Sequence, residues 1–478
     1  MQKKEIPLCV DLDGTLISTD MLYESTLYML KVNPLNILIL PFILILNSKA
    51  VLKRFIASRY IFDPAVLPFN LEFVRFLNHQ RAMGRKLILC TASDYSIANV
   101  IAKHLGIFAE IMATDGSVNL EGNRKAEALV RRFGEKGFDY AGNSLVDLKV
   151  WSHSRNAIVV NGSNGLLNKA ITLCHVEKVF EPSKIKITIW AKALRVHQWL
   201  KNGLLLVPLL AAHQLADVAA WITLFWAFVA FCLCASSVYI TNDLLDLESD
   251  RLHPRKRNRP FASGALQVSK GAAVAPLLCL LSCFVGAYVG LGFLLWLLIY
   301  FVLTFIYSLK LKQLVLVDCM TLAILYTLRI VAGAVAVGGA ISFWLLAFSV
   351  FLFLSLAFIK RFAELQVQLF QGKRKANGRG YFTNDAPLIQ MLGIASGFMS
   401  VLVLAFYLNS PEVQLLYVQP AWVWGNVPVM VFWISWLWLH AHRGEMHDDP
   451  LIFAIKDKVS LVSGVLFAGF LLLGSLHT

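Results

Sequence analysis

Three carboxylates stand close together in this chain: Asp243, Asp246 and Asp250, within the run NDLLDLESD at residues 242–250. Spacing of i, i+3, i+7 puts them on one face of a helix. An apolar run from Ala219 to Ile240 precedes them, and the basic run RLHPRKRNRP, residues 251–260, follows. Acids at the mouth of an apolar span are costly unless a cation neutralises them. Mg2+ meets that need, because it takes a few carboxylates together with the oxygens of a substrate phosphate. A second acid pair, Asp11 and Asp13, follows the apolar run Leu8-Cys9-Val10 and precedes Gly14. Two acids two apart project from the same side of an extended chain. There one can attack a phosphoryl group while the other handles the proton.

The elements that must position these groups differ between the two halves of the chain. At 57% hydrophobic over 478 residues, it is too apolar for a soluble protein and long enough for two domains or more. Residues 1–180 mix charged and apolar residues as globular domains do. In this half, Lys86–Ser93 reads as a buried strand ending in hydroxyls, Lys125 begins a helix that runs to Phe133, and Phe138–Asp147 is another strand end with polar ligands. Strand ends of parallel sheets are where α/β enzymes place their chemistry. The apolar run Leu35–Leu46 is too short to cross a bilayer. It reads either as the core of a helical cap or as a segment that dips into the bilayer surface. No signal-peptide pattern opens the chain, so this half is expected in the cytosol. Residues 181–194 alternate basic and apolar around Trp190 and suit an interfacial linker helix. The eight cysteines form no CxxC pair and read as small buried hydrophobes.

From about residue 195 onward, nine apolar spans are expected: 199–215, 219–241, 272–290, 292–309, 314–338, 342–359, 388–408, 421–440 and 459–476. Eighteen Lys and Arg lie beyond residue 203. All but Arg329 fall in or beside alternate connections, on the same side as the N-terminal half. The positive-inside rule makes that side cytoplasmic and puts the C-terminus outside. Much of the net charge of +14 is then membrane orientation and substrate binding, and no nucleic-acid partner is needed. Arg329, inside the fifth span, is a functional-site candidate by default. Lys373–Lys375 reads as a solvated charge run, and His440, His442 and His447 as a polar span end.

Two resemblances follow. The run DxDGTL at residues 11–16, Thr91, Lys125 and GNSxxD at 142–147 stand in the order of the haloacid-dehalogenase (HAD) phosphatase superfamily. That resemblance implies a Rossmann-like α/β domain over 1–180 with a helical cap at about 17–85. It implies Asp11 as nucleophile, Asp13 as general acid/base, Thr91 as phosphoryl binder and Lys125 as charge stabiliser. It also implies Mg2+ on Asp11, Asp13 and Asp147 with help from Asn143, which stands where many members have a further acid. NDxxDxxxD after the second span, with Asp318 after the fourth, resembles the UbiA superfamily of intramembrane prenyltransferases over 195–478, an all-α transmembrane bundle. The phosphoribosyltransferase branch is the sharper match, through QWLKN at 198–202, the HPxKRxRP run, Tyr307, Lys312, Lys360-Arg361 and RGxxHDDP at 443–450. Leu322 stands where aromatic prenyltransferases carry a further acid. This second resemblance implies transfer of phosphoribosyl from phosphoribosyl diphosphate (PRPP) to a polyprenyl phosphate in a bacterial inner membrane. Asn242, Asp243, Asp246 and Asp250 would serve the Mg2+ site, and Asp318 would hold its other side or orient the ribose hydroxyls. Lys201, Asn202, Lys256, Arg259, Tyr307, Lys312, Arg329, Lys360 and Arg361 would bind substrate. The N-terminal domain would then remove the ribose 5-phosphate from the lipid product. The competing expectations are an aromatic prenyltransferase with an unrelated phosphatase, and a transporter whose acids line an ion path.

Overall fold

The computed structural model describes residues 6–475 apart from 47, 183–185, 213–215, 376–378, 447 and 448. His447, Asp448, part of the 181–194 linker and the end of the 199–215 span therefore lie outside the described residues.

The N-terminal half folds around a six-stranded parallel sheet of order β3-β2-β1-β4-β5-β6. Its strands are β1 (Leu8–Val10), β2 (Leu87–Asp94), β3 (Glu110–Thr114), β4 (Asp139–Gly142), β5 (Asn156–Val160) and β6 (His175–Phe180). Between β1 and β2 come α1 (Met21–Val32), α2 (Asn36–Leu46), α3 (Lys49–Ala57) and α4 (Leu71–Ala82). The remaining helices of this half are α5 (Tyr95–Leu105), α6 (Asn123–Phe133), α7 (Leu148–Trp151), α8 (Asn164–Leu173) and α9 (Ile187–Ala193). Local chemistry sets the helix starts: the Asp20 carboxylate accepts the Leu22 and Tyr23 N–H groups to begin α1, and Asp94 accepts the Ser96 N–H to begin α5. The inner strands β1, β2, β4 and β5 are buried on both faces, whereas the edge strand β6, HVEKVF, is largely exposed. Leu8, Val10 and Leu89 pack into one buried layer, and Cys9, Ile88 and Cys90 into the other. β1 lies between β2 and β4, at the point where strand order reverses, which is where open α/β sheets form their crevice.

The second half is helical: α10 (Val207–Ala211), α11 (Val218–Leu245), α12 (Leu247–Leu252), α13 (Val268–Val289), α14 (Leu291–Leu309), α15 (Val317–Ala336), α16 (Phe343–Phe370), α17 (Ala386–Leu408), α18 (Pro411–Leu416), α19 (Pro420–Val423), α20 (Asn426–His442), α21 (Pro450–Lys456) and α22 (Lys458–Ser475). Among the described residues, eight helices are long and apolar enough to cross a membrane. Nine spans were expected, and the difference lies at 199–215. There Val196–Leu206 is 3-10 helix, followed by the short α10. Pro208 stands at the start of α10, and it cannot donate the backbone bond that a continuous helix would need there. α15 is the most buried of the long helices, consistent with a central place among them.

Packing divides the chain into two compact units. One holds Met1–Arg195 together with Tyr239–Pro276, and the other holds Val196–Val238 with Leu277–Thr478. The last turns of α11, all of α12 and the start of α13 thus belong to the unit that holds the α/β sheet. In the second unit, Gly333 of α15 allows a close approach: a Cβ there would lie 2.1 Å from the Leu205 carbonyl oxygen. All eight cysteines are free thiols, buried or half-buried.

Candidate active sites

The first unit gathers the N-terminal acids at the carboxyl ends of β1, β2 and β4. Asp11 follows β1, and one of its oxygens accepts a hydrogen bond from Lys125 Nζ at 2.7 Å. That ammonium also donates to the Tyr140 hydroxyl at 2.9 Å, and the hydroxyl in turn donates to Asp147 Oδ1 at 2.9 Å. The other Asp147 oxygen accepts the backbone N–H groups of Asn143 and Ser144 and the Ser144 hydroxyl. Asp13 accepts the Met21 N–H at 2.8 Å and the Ser93 hydroxyl at 2.6 Å. Gly14 has a φ of +76°, and a Cβ there would lie 2.0 Å from the Asn143 amide nitrogen. The glycine of the first motif is therefore what lets the last motif close in. Thr91 is fully buried, and its hydroxyl accepts the Ser93 N–H.

Electrostatics here favour neutral carboxyls. Burial, reinforced by the charges of Asp20 and Asp11, pushes the Asp13 carboxyl up to about 7. Burial also raises Asp11, against the pull of Lys125. Lys125 is buried, which alone would lower its pKa, but Asp11, Cys90 and Asp147 together outweigh that and hold it up. Carboxylates raised by one another's charge are a donor set that a divalent cation would relieve. Among the described residues no three Asp, Glu, His or Cys side chains form a metal cage. A hydrated Mg2+ needs only one or two protein carboxylates with waters and substrate phosphate, so Asp11 and Asp13 fit it better than a closed cage would.

The NDLLDLESD acids lie in the same unit. The helix is interrupted at Asp246, whose φ of −102° and ψ of 14° leave the helical range before α12. The three carboxylates consequently do not share one partner. Arg259 Nη1 touches Asp243 at 3.0 Å and Asp250 at 2.6 Å, so one cation position serves both. Arg195 adds a contact to Asp243 at 2.5 Å. Asp246 turns to Lys31 of α1 at 3.0 Å. Asn242 and Lys256 flank the cluster: the Asn242 carbonyl accepts the Asp246 N–H, and Lys256 opens a short 3-10 turn, Lys256–Asn258. α12 is fastened by a buried pair in which Arg251 grips both Glu24 oxygens at 2.9 and 2.5 Å.

The second unit contains two polar clusters. In one, Asp449 is buried and takes Lys201 at 2.7 Å and Lys360 at 3.1 Å on a single oxygen. Burial alone would raise the Asp449 carboxyl, but Lys360 and Lys201 hold it well below the usual range. The Lys201 ammonium lies over the Tyr326 ring, and so does the Arg329 guanidinium, which hydrogen-bonds Asn202 Oδ1 at 3.0 Å and the Tyr300 hydroxyl at 2.9 Å. In the other, Asp318 is fully buried and already engaged. It accepts the Tyr381 hydroxyl at 2.5 Å and is ion-paired with Arg361 at 2.6 Å and Arg379 at 3.4 Å. Arg379 also reaches the Tyr307 hydroxyl and the Lys312 carbonyl, each at 3.4 Å, and Glu364 at 3.2 Å.

Several participants had no place in the sequence-based reading. Ser93 could have been found, since it stands two residues after Thr91 on one strand and so on the same side. Asp449 lies in the quoted RGxxHDDP run but carried no role. Lys31, Glu24 and Tyr381 gave no local signal, because each meets its acid or base across more than sixty residues of chain: the Tyr381–Asp318 separation is 63 and the Arg251–Glu24 separation 227. Arg379 likewise reaches Asp318 from 61 residues away, besides its nearer contact with Glu364.

Comparison with known proteins agrees with the helical half. The chain is 36% identical over 469 residues to the uncharacterized protein y4nM of Sinorhizobium fredii, covering 97% of this chain and 90% of that protein. It is 36% identical over 287 residues to a decaprenyl-phosphate phosphoribosyltransferase of Mycolicibacterium smegmatis, covering 58% of this chain and 89% of that protein. A solved structure of a UbiA homolog from Archaeoglobus fulgidus bound to GPP and Mg2+ superposes with a TM-score of 0.45 at 15% identity, over 60% of this chain and 100% of that one. Residues 205–456 match the model of the UbiA prenyltransferase family, and the chain belongs to that family.

Proposed function

We propose that the family domain transfers a phosphoribosyl group from PRPP to a polyprenyl phosphate. The observation that carries this reading is the 36% identity to an enzyme named decaprenyl-phosphate phosphoribosyltransferase, over 89% of its length. An ionised lipid phosphate oxygen attacks the ribosyl anomeric carbon. The bond from that carbon to the diphosphate breaks, and diphosphate departs with the electron pair. No strong general base is required, because the nucleophile is already an anion. Asp243, Asp246 and Asp250, with Asn242, would hold Mg2+, which would neutralise the diphosphate. Lys201, Lys360, Arg329, Lys256 and Lys312 supply positive charge for phosphate oxygens. Asp318, engaged by Tyr381, Arg361 and Arg379, serves by orienting those groups.

For the N-terminal unit we propose a HAD-type phosphatase that removes the ribose 5-phosphate from the lipid product. Asp11 would be the nucleophile, Asp13 the acid/base group, Lys125 the charge stabiliser and Thr91 the phosphoryl binder. Mg2+ would sit with Asp11, Asp13, Asn143 and Asp147. The support is the convergence of Asp11, Lys125, Tyr140 and Asp147 into one hydrogen-bonded chain at the strand ends. In this reading the protein is a multi-pass inner-membrane enzyme whose basic connections face the cytoplasm, where PRPP is available.

One assay separates the two steps. Purified protein receives ribose-labelled PRPP and polyprenyl phosphate, and lipid label, diphosphate and inorganic phosphate are followed. Wild type should label lipid and release both products, and Asp11→Asn should release diphosphate only. Consumption of a prenyl diphosphate in place of PRPP would overturn the transferase reading. Dephosphorylated lipid from Asp11→Asn would overturn the coupled one.

A further inference from the structure

We infer that α2 is a membrane-surface anchor, lying in the interface of the bilayer leaflet at which α11 ends. The helix carries no charged residue over its length NILILPFILIL. Ile39, Phe42 and Leu46 recur at i, i+3, i+7 along α2 and are exposed by 45, 65 and 77%, with Ile45 beside them at 79% and Leu35, in the turn before the helix, at 68%. That is one continuous helical stripe of large apolar side chains left uncovered. An exposed stripe of this kind marks an interaction surface.

The occupant follows from what the same compact unit contains. α11 is long and apolar enough to span a membrane, and its last turn, with the loop beyond, packs with the α/β fold. Lys31, at the end of α1, pairs with Asp246, the first residue after α11. Arg251 of α12 grips Glu24 in the same helix α1. α1 is thus pinned where a span leaves the hydrocarbon, and α2 begins five residues after Lys31. Five residues of chain reach at most about 18 Å. Eleven helical residues rise about 16 Å, roughly half the hydrocarbon thickness, so α2 lies in the interface and does not cross. Lys31 before the helix and Lys49 after it place cations at headgroup level on either side of the apolar stretch. The anchor rests on the membrane character of α11 and does not need the phosphatase reading. Joined to that reading, it means that the Asp11 site works at a lipid surface and favours phosphomonoesters carried by lipid.

The test uses the full chain in nanodiscs of phosphatidylcholine and phosphatidylglycerol. Phe42→Cys and Ile45→Cys are labelled with bimane, as is Arg131→Cys, a control on the 83%-exposed Arg131 side chain of α6. Wild type labelled in parallel gives the background from native thiols. Lipids brominated at shallow acyl positions should quench the labels at 42 and 45 at least two-fold, more than lipids brominated deep, and should leave 131 unchanged. Labels at 42 and 45 that respond to aqueous iodide like 131, or that transfer energy between copies without bromolipid quenching, would overturn the inference. A second arm compares Ile39→Glu/Phe42→Glu with wild type for phosphate release. The lipid-borne phosphomonoester should be cleaved at least five-fold more slowly, and a water-soluble one at the same rate. Quenching together with no phosphate release from either substrate would sink the phosphatase reading and leave the anchor standing.

Discussion

Asp449 shows how a single carboxylate can organise a basic site. Two lysines converge on one of its oxygens, with the Lys360 side chain 34% exposed, so Asp449→Asn leaves two ammonium groups facing each other with less compensation. Removing one partner of a fully buried pair costs about 3–5 kcal/mol, and solvent at Lys360 screens part of that here. The variant should unfold at lower temperature in detergent, with weaker retention of phosphate-bearing ligands because Lys201 and Lys360 are no longer held together. Unchanged thermal stability would argue against this role. Asp13 makes a second residue-level case, with a definite sign. Its carboxyl is raised from the ordinary carboxylate range to about 7 by burial and by Asp20 and Asp11. The native state therefore favours the protonated form. The stability this contributes is complete below the ordinary pKa and is lost as pH rises through about 7. In metal-free buffer, protease resistance of the N-terminal unit should fall between pH 5 and pH 8. Asp13→Asn should flatten that fall, and added Mg2+ should reverse it in wild type by binding the charged form.

At the scale of elements, α12 depends on α1. Glu24 and Arg251 are buried and paired through two contacts. Glu24→Ala strands the guanidinium and should cost about 3–5 kcal/mol. Hydrogen exchange should report the loss first at residues 243–252, and transfer from PRPP should drop with it. Glu24→Ala combined with Arg251→Met should recover part of the stability, because the unpaired charge is gone. Gly333 is the other pivotal element contact. With the Leu205 carbonyl 2.1 Å from an added Cβ, Gly333→Ala forces α15 away from the 3-10 segment. Overpacking of this kind costs about 1–3 kcal/mol. A shift in thermal midpoint, without loss of the Asp11-dependent phosphate release, is the expected readout.

At the scale of the whole molecule, the chain is threaded through its two compact units twice. The loop with the family's acids belongs to the same unit as the α/β fold, where it pairs with α1, even though its flanking helices are long and apolar enough to span a membrane. A cut near residue 195 would therefore remove Lys31, Glu24 and Arg195 from Asp246, Arg251 and Asp243. The isolated 196–478 piece should then express poorly or show a loop that exchanges rapidly, in contrast to the intact chain.

Much of this was legible in the sequence, for a physical reason: apolar runs and their breaks are one-dimensional signals. The strand ends at Asp11 and Gly142 were readable because a buried parallel strand is a short apolar run that ends where its polar residues begin, while β2 runs on through Thr91 to Asp94. Eight of the long apolar helices were readable because hydrocarbon thickness leaves a direct mark on composition. The sequence alone also determined the acid run at 242–250, but not its geometry. A break at Asp246 separates the three acids, and their partners come from positions such as Lys31 that no local pattern ties to them. Only the tertiary structure decided that Arg259 bridges Asp243 and Asp250, that Asp318 is saturated by Arg361, Arg379 and Tyr381, and that the apolar stripe of α2 is left uncovered. Each depends on which distant segments meet, and that is set by packing free energy summed over the fold and not by the residues at the site.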